Sequence, residues 1–126
     1  MDNGERGART VVLVADDDAT IRELLAAVLA DESGLYAVMA HDGSEALAAV
    51  EKVRPQVVLL DIQMPGLTGL EVAQRLRANP SMRGVAIVGF SAAANREAAL
   101  AAGCDEFVSK PFDLDELVGI LRRLAG

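Results

Sequence analysis

The sequence predicts an α/β domain in which one parallel β-sheet is covered by helices on both faces. Short apolar segments alternate strictly with amphipathic segments, five of each, which is the pattern of a parallel sheet with helical crossovers. The continuous apolar run from Val57 to Leu60 suits a strand that is buried on both faces. With 126 residues, 52% of them hydrophobic, the chain is expected to form a single domain with a substantial core.

Each predicted strand is a short apolar or β-branched run that ends at a polar residue or a turn former. The third strand ends on Asp61, and Met64-Pro65-Gly66 follows it. Since Pro65 disfavours helix at Met64, a loop is expected after the strand, and we expect that loop to leave Asp61 uncovered at the sheet edge. The predicted strands are Thr10–Ala15, Leu35–Ala40, Val57–Asp61, residues 84–90 and residues 105–109.

The predicted helices are recognised by apolar residues at helical spacing and by their start and stop signals. The first has the apolar stripe Ile21, Leu24, Leu25, Val28 and Leu29, and Thr20 and Glu23 have the spacing of a capping box. The last is expected to be capped by Asp113 and to run through Leu124. The other three are residues 44–53 before Pro55, Gly69–Ala78 before Asn79-Pro80, and residues 95–102 before Gly103.

Composition and charge restrict the classes of function. The formal net charge of −7 argues against a surface that binds a phosphate backbone, so no direct nucleic-acid partner is expected. No apolar run reaches membrane-spanning length, and the first ten residues lack the features of a signal peptide. The single cysteine, Cys104, is expected to be a small buried apolar residue, and the lack of a second cysteine is typical of proteins in a reducing compartment. The expectation is a cytoplasmic protein without membrane insertion, with a flexible tail at residues 1–9 and one domain at residues 10–126.

Polar side chains follow four of the predicted strands. The first strand leads to Asp16 and Asp17, the third ends on Asp61, the fourth ends at Ser91 and the fifth leads to Lys110. In open α/β sheets, ligands bind outside the carboxyl ends of the strands, near the point where the strand order reverses. These side chains are therefore expected to converge on one edge of the sheet.

Three carboxylates at one edge repel each other unless a cation offsets them. Magnesium suits such a set, because it prefers oxygen ligands and binds beside phosphate groups. Lys110 then supplies a positive charge for an anion and Ser91 supplies a hydroxyl donor. A carboxylate can act as a nucleophile towards phosphorus, and Asp61 stands alone at its strand end, whereas Asp16 and Asp17 suit the metal. The sequence therefore predicts phosphoryl transfer onto Asp61.

Four motifs in this order carry a resemblance to a known family. They are VLVADDDATIRELL, VVLLDIQMPG, the Ser91-Ala92 pair and FVSKPF. Together they resemble the receiver domain of two-component response regulators, of the single-domain, CheY-like kind, over residues 10–125. The resemblance implies a (βα)5 flavodoxin-like fold, that is, a doubly wound parallel five-stranded sheet with strand order 2-1-3-4-5.

The resemblance also implies a role for each residue at the expected edge. Asp61 would accept phosphate from a sensor histidine kinase or a histidine phosphotransfer protein, and Lys110 would contact the phosphoryl group. Magnesium would be placed by Asp16, Asp17, Asp61 and the main-chain carbonyl of Gln63.

Switching after phosphorylation is implied for two further positions. Ser91 stands where the family has a hydroxyl residue that moves to bond the phosphate, and Phe107 stands where an aromatic side chain changes rotamer. The Lys110-Pro111 bond is implied to be cis. Such a domain catalyses its own phosphorylation and dephosphorylation but is primarily a signalling switch. We expect a stand-alone module with a downstream protein target, as a monomer or a weak dimer through the last helix.

Two other classes of function stay open. One is an aspartyl-nucleophile phosphatase that resembles the haloacid dehalogenase-like enzymes. Those enzymes require a second acidic residue two positions after the nucleophile, and here that position is Gln63, which is not acidic. A phosphorylation-independent binding module would work by constitutive contacts. Such modules usually lose part of the acid, hydroxyl and lysine set, and this sequence retains all of it.

Overall fold

The β-sheet has the predicted strand order. The computed structural model describes residues 9–93 and 95–125. Within these residues, five parallel strands form one sheet in the order β2-β1-β3-β4-β5. The predicted tail lies outside the described residues apart from Arg9. The strands are β1 (Thr10–Ala15), β2 (Leu35–Ala40), β3 (Val57–Asp61), β4 (Ala86–Ser91) and β5 (Glu106–Ser109).

Helices pack on both faces of the sheet, as predicted. The helices of the described part are α1 (Ala19–Ala30), α2 (Gly43–Val53), α3 (Gly69–Ala78), α4 (Arg96–Ala102) and α5 (Leu114–Ala125). Side chains alternate along β1, so that Leu13 and Ala15 pack with α2, α3 and α4, whereas Val12 and Val14 pack with α1 and α5. All five residues of the central strand β3 are buried, as expected for a strand covered on both sides.

Several element boundaries differ from the prediction by one or two residues: α2 begins at Gly43, and α4 and β5 begin at Arg96 and Glu106. Helix α1 is capped by the carboxylate of Asp18, which accepts a hydrogen bond from the Thr20 amide at 2.9 Å, so Thr20 and Glu23 do not form a capping box. Strand β4 begins at Ala86, two residues later than predicted, because the preceding residues form a turn in which the Val85 amide donates to the Met82 carbonyl. None of these differences moves Asp16, Asp61 or Ser91 away from the carboxyl ends of the strands.

The sheet places β1 and β3 side by side, where the strand order reverses. Ala15 pairs with Leu60 and Asp61 pairs with Phe90, so the residues after β1 and β4 lie next to the end of β3. A reversal of this kind leaves a crevice at the carboxyl ends of the two strands. No helix in the described part of the chain is long and apolar enough to cross a membrane.

Candidate functional site

The carboxyl edge of the sheet brings three carboxylates together. Asp16 and Asp17 follow β1, and Asp61 ends β3. One oxygen from each of them lies within 4.8 Å of the others, which is close enough for all three to hold one metal ion. The predicted convergence of these acids is therefore present in the fold.

Asp61 is buried, although the sequence led us to expect an uncovered side chain. It is 4% exposed, and Asp16 is 0% exposed, while Asp17 faces solvent. The loop after β3 doubles back, so that the Gly69 amide donates to the Ile62 carbonyl at 3.1 Å and the first turn of α3 lies against the strand end. The position of Asp61 at the sheet edge was predicted correctly. Its exposure was not, because exposure depends on which loops and helices pack over that edge.

Burial changes the acidity of Asp61. The pKa of Asp61 is raised from 3.8 to about 6, chiefly by the loss of water around the carboxylate and in part by the neighbouring negative charge of Asp16. The Gln63 amide, which donates to Asp61 Oδ1 at 3.0 Å, and the Lys110 ammonium both oppose this rise. The raised pKa means that the folded protein holds a proton on Asp61 more tightly than the unfolded chain does.

Lys110 bridges two of the three acids. Its Nζ lies 3.2 Å from Asp16 Oδ2 and 3.5 Å from Asp61 Oδ2, and 4.7 Å from the centre of the Phe90 ring. The Lys110 amide donates to the Ser91 carbonyl at 2.8 Å, and the Lys110-Pro111 bond is cis, as the resemblance implied. An ammonium held over the end of β3 in this way can meet an anion attached to Asp61.

Asp16 is fixed by its surroundings. Its Oδ1 accepts from the Asp18 amide at 2.8 Å, and its Oδ2 contacts Lys110. The Arg22 guanidinium donates to its main-chain carbonyl at 2.7 Å. The rotamer of a buried carboxylate with both oxygens engaged is well defined, which suits a metal ligand.

Ser91 ends β4 and is fully buried, and its hydroxyl makes three hydrogen bonds to residues that the structure describes. The hydroxyl donates to Gln63 Oε1 and accepts from the Ala93 amide and from Asn95 Nδ2, each at 3.1 Å. Gln63 was predicted as a metal ligand through its main-chain carbonyl, which stays a prediction, whereas its side-chain contact with Ser91 was not foreseen. Asn95 was missed, and an asparagine four residues after Ser91 is a weak signal in sequence alone.

Phe107, the second implied switch residue, points into the core on β5. The residue is 4% exposed, and the Arg96 guanidinium lies 5.4 Å from the ring centre. Arg96 also donates to the Phe107 carbonyl at 3.2 Å, which ties the start of α4 to β5. Phe107 pairs with Gly89, a position without a side chain, so the ring has a glycine beside it on β4.

Comparison with known proteins identifies longer relatives. The transcriptional regulatory protein TcrX of Mycobacterium tuberculosis is 40% identical over 119 residues, which is 94% of this chain and 50% of TcrX. The DNA-binding response regulator MtrA of Mycolicibacterium paratuberculosis is 38% identical over 90% of this chain and 50% of MtrA. The chain thus spans about half the length of the curated relatives it matches.

These relatives contradict our prediction of the partners. We expected no nucleic acid, yet the relatives include proteins named for DNA binding. The net charge of −7 describes this domain only, and an acidic domain can belong to a pathway whose output is DNA binding. The prediction that excluded a nucleic-acid partner was therefore wrong, because the net charge of this chain does not decide what relatives of about twice its length bind.

A solved structure and a family model agree on the fold and on its family. Chemotaxis protein CheY4 of Vibrio cholerae superposes with a TM-score of 0.85 at 30% identity, covering 93% of this chain and 99% of CheY4. The family model of the response regulator receiver domain matches residues 12–122. That match includes every residue of the acidic edge, and it confirms the resemblance found in the sequence motifs. The chain accordingly belongs to the family of response regulator receiver domains, the domains of two-component signal transduction.

Proposed function

We propose that this domain accepts a phosphoryl group on Asp61 from a phosphohistidine donor in a reaction that requires Mg²⁺. The observation that carries the proposal is the position of Lys110, whose ammonium lies 3.5 Å from Asp61 Oδ2 and 3.2 Å from Asp16 Oδ2. Phosphoryl transfer needs little covalent chemistry from a protein, and positioned charges supply most of the catalysis. A buried carboxylate beside an ammonium and two further acids is such an arrangement.

The transfer needs no reactant other than the phosphohistidine donor and a proton from solvent. An Asp61 carboxylate oxygen attacks phosphorus, a new O–P bond forms and the P–N bond of the phosphohistidine breaks. The electron pair of that bond returns to the imidazole nitrogen, which takes up a proton from solvent. Lys110 lies where it can neutralise an equatorial phosphoryl oxygen during this displacement.

The acids of the edge fit a magnesium ion. Their donors are hard oxygens, and one oxygen from each of the three carboxylates lies within 4.8 Å of the others. In our proposal, the side chains of Asp16, Asp17 and Asp61 hold the ion with the main-chain carbonyl of Gln63. When bound, the ion neutralises charge on the phosphoryl oxygens.

Phosphorylation would change the surface near the site. Ser91 ends the strand next to Asp61, and its hydroxyl is the group that we propose to turn towards a phosphoryl group on Asp61. Phe107 lies on β5 beside β4, so a movement of Ser91 and of the residues after it can change the space around its ring. The faces of β5 and α5 are then the surfaces that report the signal.

The proposal predicts metal-dependent labelling at one residue. Incubation with acetyl phosphate and Mg²⁺ should add one phosphoryl group to the wild-type protein, detected by intact-protein mass spectrometry. The modification should be lost in mild base, as expected for an acyl phosphate. Chelation of Mg²⁺ with EDTA should abolish labelling.

The matched variants are Asp61→Asn, which removes the nucleophile, and Asp42→Asn, which removes a carboxylate that caps α2 and does not belong to the acidic cluster. The first should not be labelled and the second should be labelled as the wild type is. Equal labelling of Asp61→Asn would refute the proposal. Steady hydrolysis of p-nitrophenyl phosphate would instead favour the phosphatase, and a wild type that takes up no phosphoryl group would favour the phosphorylation-independent binding module.

A further inference from the structure

The Ser91 hydroxyl forms its hydrogen bonds with Gln63, Ala93 and Asn95 rather than with Asp61. A hydroxyl has one proton to donate and two lone pairs that accept. Ser91 donates that proton to Gln63 Oε1 and accepts from the Ala93 amide and Asn95 Nδ2. Because the residue is fully buried, water does not replace a partner that is lost.

Gln63 therefore competes with any anion on Asp61 for the same proton. Gln63 is two residues after Asp61, and its amide holds Asp61 Oδ1 at 3.0 Å. Its side chain reaches across to the neighbouring strand end and accepts from Ser91. For Ser91 to donate to a phosphoryl oxygen, the bond to Gln63 has to break.

Asn95 donates a hydrogen bond to the same hydroxyl. Asparagine at the residue before a helix normally accepts a bond from the first turn of that helix. Here Asn95 is the residue before α4, but its side chain makes no such bond, and its amide donates to Ser91 instead. Its side chain thus ties the β4–α4 loop to the orientation of Ser91.

We propose that Gln63 and Asn95 are positioning residues that form a latch on Ser91 and stabilise the unphosphorylated state. This inference rests on the proposed function. The latch consists of the two side chains and the Ser91 hydroxyl. Phosphorylation opens it by offering the Ser91 proton a charged acceptor in place of the neutral Gln63 carbonyl, since hydrogen bonds to charged groups are the stronger ones. The strength of the latch then sets how much of the protein is switched at a given phosphoryl occupancy.

The test is a double-mutant cycle on binding of beryllofluoride with Mg²⁺, a mimic of the acyl phosphate. Gln63→Met keeps the length of the side chain and removes the acceptor. One lost hydrogen bond predicts that the apparent Kd for beryllofluoride falls about three- to tenfold. In the Ser91→Ala background, which has no proton to compete for, Gln63→Met should change the Kd by less than about twofold. An equal change in both backgrounds, or no change in the first, would overturn the latch.

A second readout uses the metal-free, unphosphorylated protein. The Ala93 amide donates to Ser91 Oγ, so its hydrogen exchange reports whether Ser91 is held. Gln63→Met and Asn95→Ala should each accelerate exchange at Ala93 by about three- to tenfold and leave the amide of Val88, in the core of β4, unchanged. Unchanged exchange at Ala93 would overturn the proposal, and faster exchange at both amides would mean that the variants only destabilise the fold and would overturn it too.

These two experiments separate the latch from the function on which it rests. If beryllofluoride binds the wild type and Asp61→Asn equally, Asp61 is not the acceptor and the proposed function fails. The exchange measurement still decides the latch, because it needs neither Mg²⁺ nor a phosphoryl group.

Discussion

Asp61→Asn is expected to stabilise the metal-free protein near neutral pH. The substitution removes a buried negative charge that Asp16 opposes and that Lys110 only partly offsets. The rise in pKa from 3.8 to about 6 is worth about 1–3 kcal/mol in the free energy of unfolding. In the proposed function, this cost in stability accompanies the role of Asp61 as the phosphoacceptor.

The pH dependence has a definite sign. Since the pKa of Asp61 is higher in the folded protein than in the unfolded chain, the folded state binds the proton more tightly, and this residue lowers stability as pH rises from about 4 to about 6. Below that range Asp61 is protonated in both states and the wild type resembles Asp61→Asn. Above it, the full penalty is present. The variant should therefore gain stability relative to the wild type as pH rises and then keep the gain.

Urea unfolding in EDTA at several pH values measures this difference. Asp17→Asn is the control, since Asp17 belongs to the same acidic cluster but is exposed, and its replacement should change stability by less than about 0.5 kcal/mol. Addition of Mg²⁺ should stabilise the wild type more than Asp61→Asn, because the variant lacks one ligand. A variant that is less stable than the wild type near pH 8, or a difference that does not vary with pH, would refute this account of the burial of Asp61.

Gly69→Ala is expected to destabilise the protein by about 2–4 kcal/mol. A Cβ at Gly69 would overlap the main-chain carbonyl of Asp61 and would lie 2.7 Å from the Cα of Ile62. These atoms have little freedom to move, since the Ile62 amide donates to the Phe90 carbonyl at 3.0 Å and the Ile62 carbonyl accepts from Gly69 itself. Glycine is needed here for close approach of α3 to the end of β3.

The matched control is Gly119→Ala, a second glycine within a helix. Nothing lies within 4 Å of a Cβ at that position, so alanine should stabilise α5 by about 0.5–1 kcal/mol through helix propensity. Thermal and urea unfolding of the two variants should therefore give changes of opposite sign. Equal, small changes at both positions would contradict the close packing of α3 against Asp61.

Local patterns were sufficient to predict most of the fold. Strands β1, β2 and β3 and helix α3 have the predicted bounds, because each is a distinct apolar or amphipathic run between turn formers. The start of β4 was wrong, since an apolar residue such as Val85 can belong to a turn when its amide bonds back to Met82. The cap of α1 was wrong because Asp18, Thr20 and Glu23 all have side chains that can cap, and spacing alone does not choose between them.

The convergence of the strand-end side chains was predicted from the sequence, whereas their burial and hydrogen bonds were not. The rule that strand ends meet at one edge was enough to bring Asp16, Asp61 and Lys110 together. The burial of Asp61 depends on the returning loop and on Gly69, and the contacts of Ser91 depend on the register between β3 and β4. Both are properties of the tertiary structure, and they carry no periodic signal along the chain.

The most direct test of the phosphoacceptor assignment is to locate the phosphoryl group. After incubation with acetyl phosphate and Mg²⁺, borohydride reduces an aspartyl phosphate to homoserine, and peptide mass spectrometry identifies the reduced residue. We predict homoserine at position 61, dependent on Mg²⁺ and absent from a sample without phosphodonor. Reduction at another acid, such as Asp16 or Asp17, or no reduced residue in a protein shown to be folded, would contradict the assignment of Asp61.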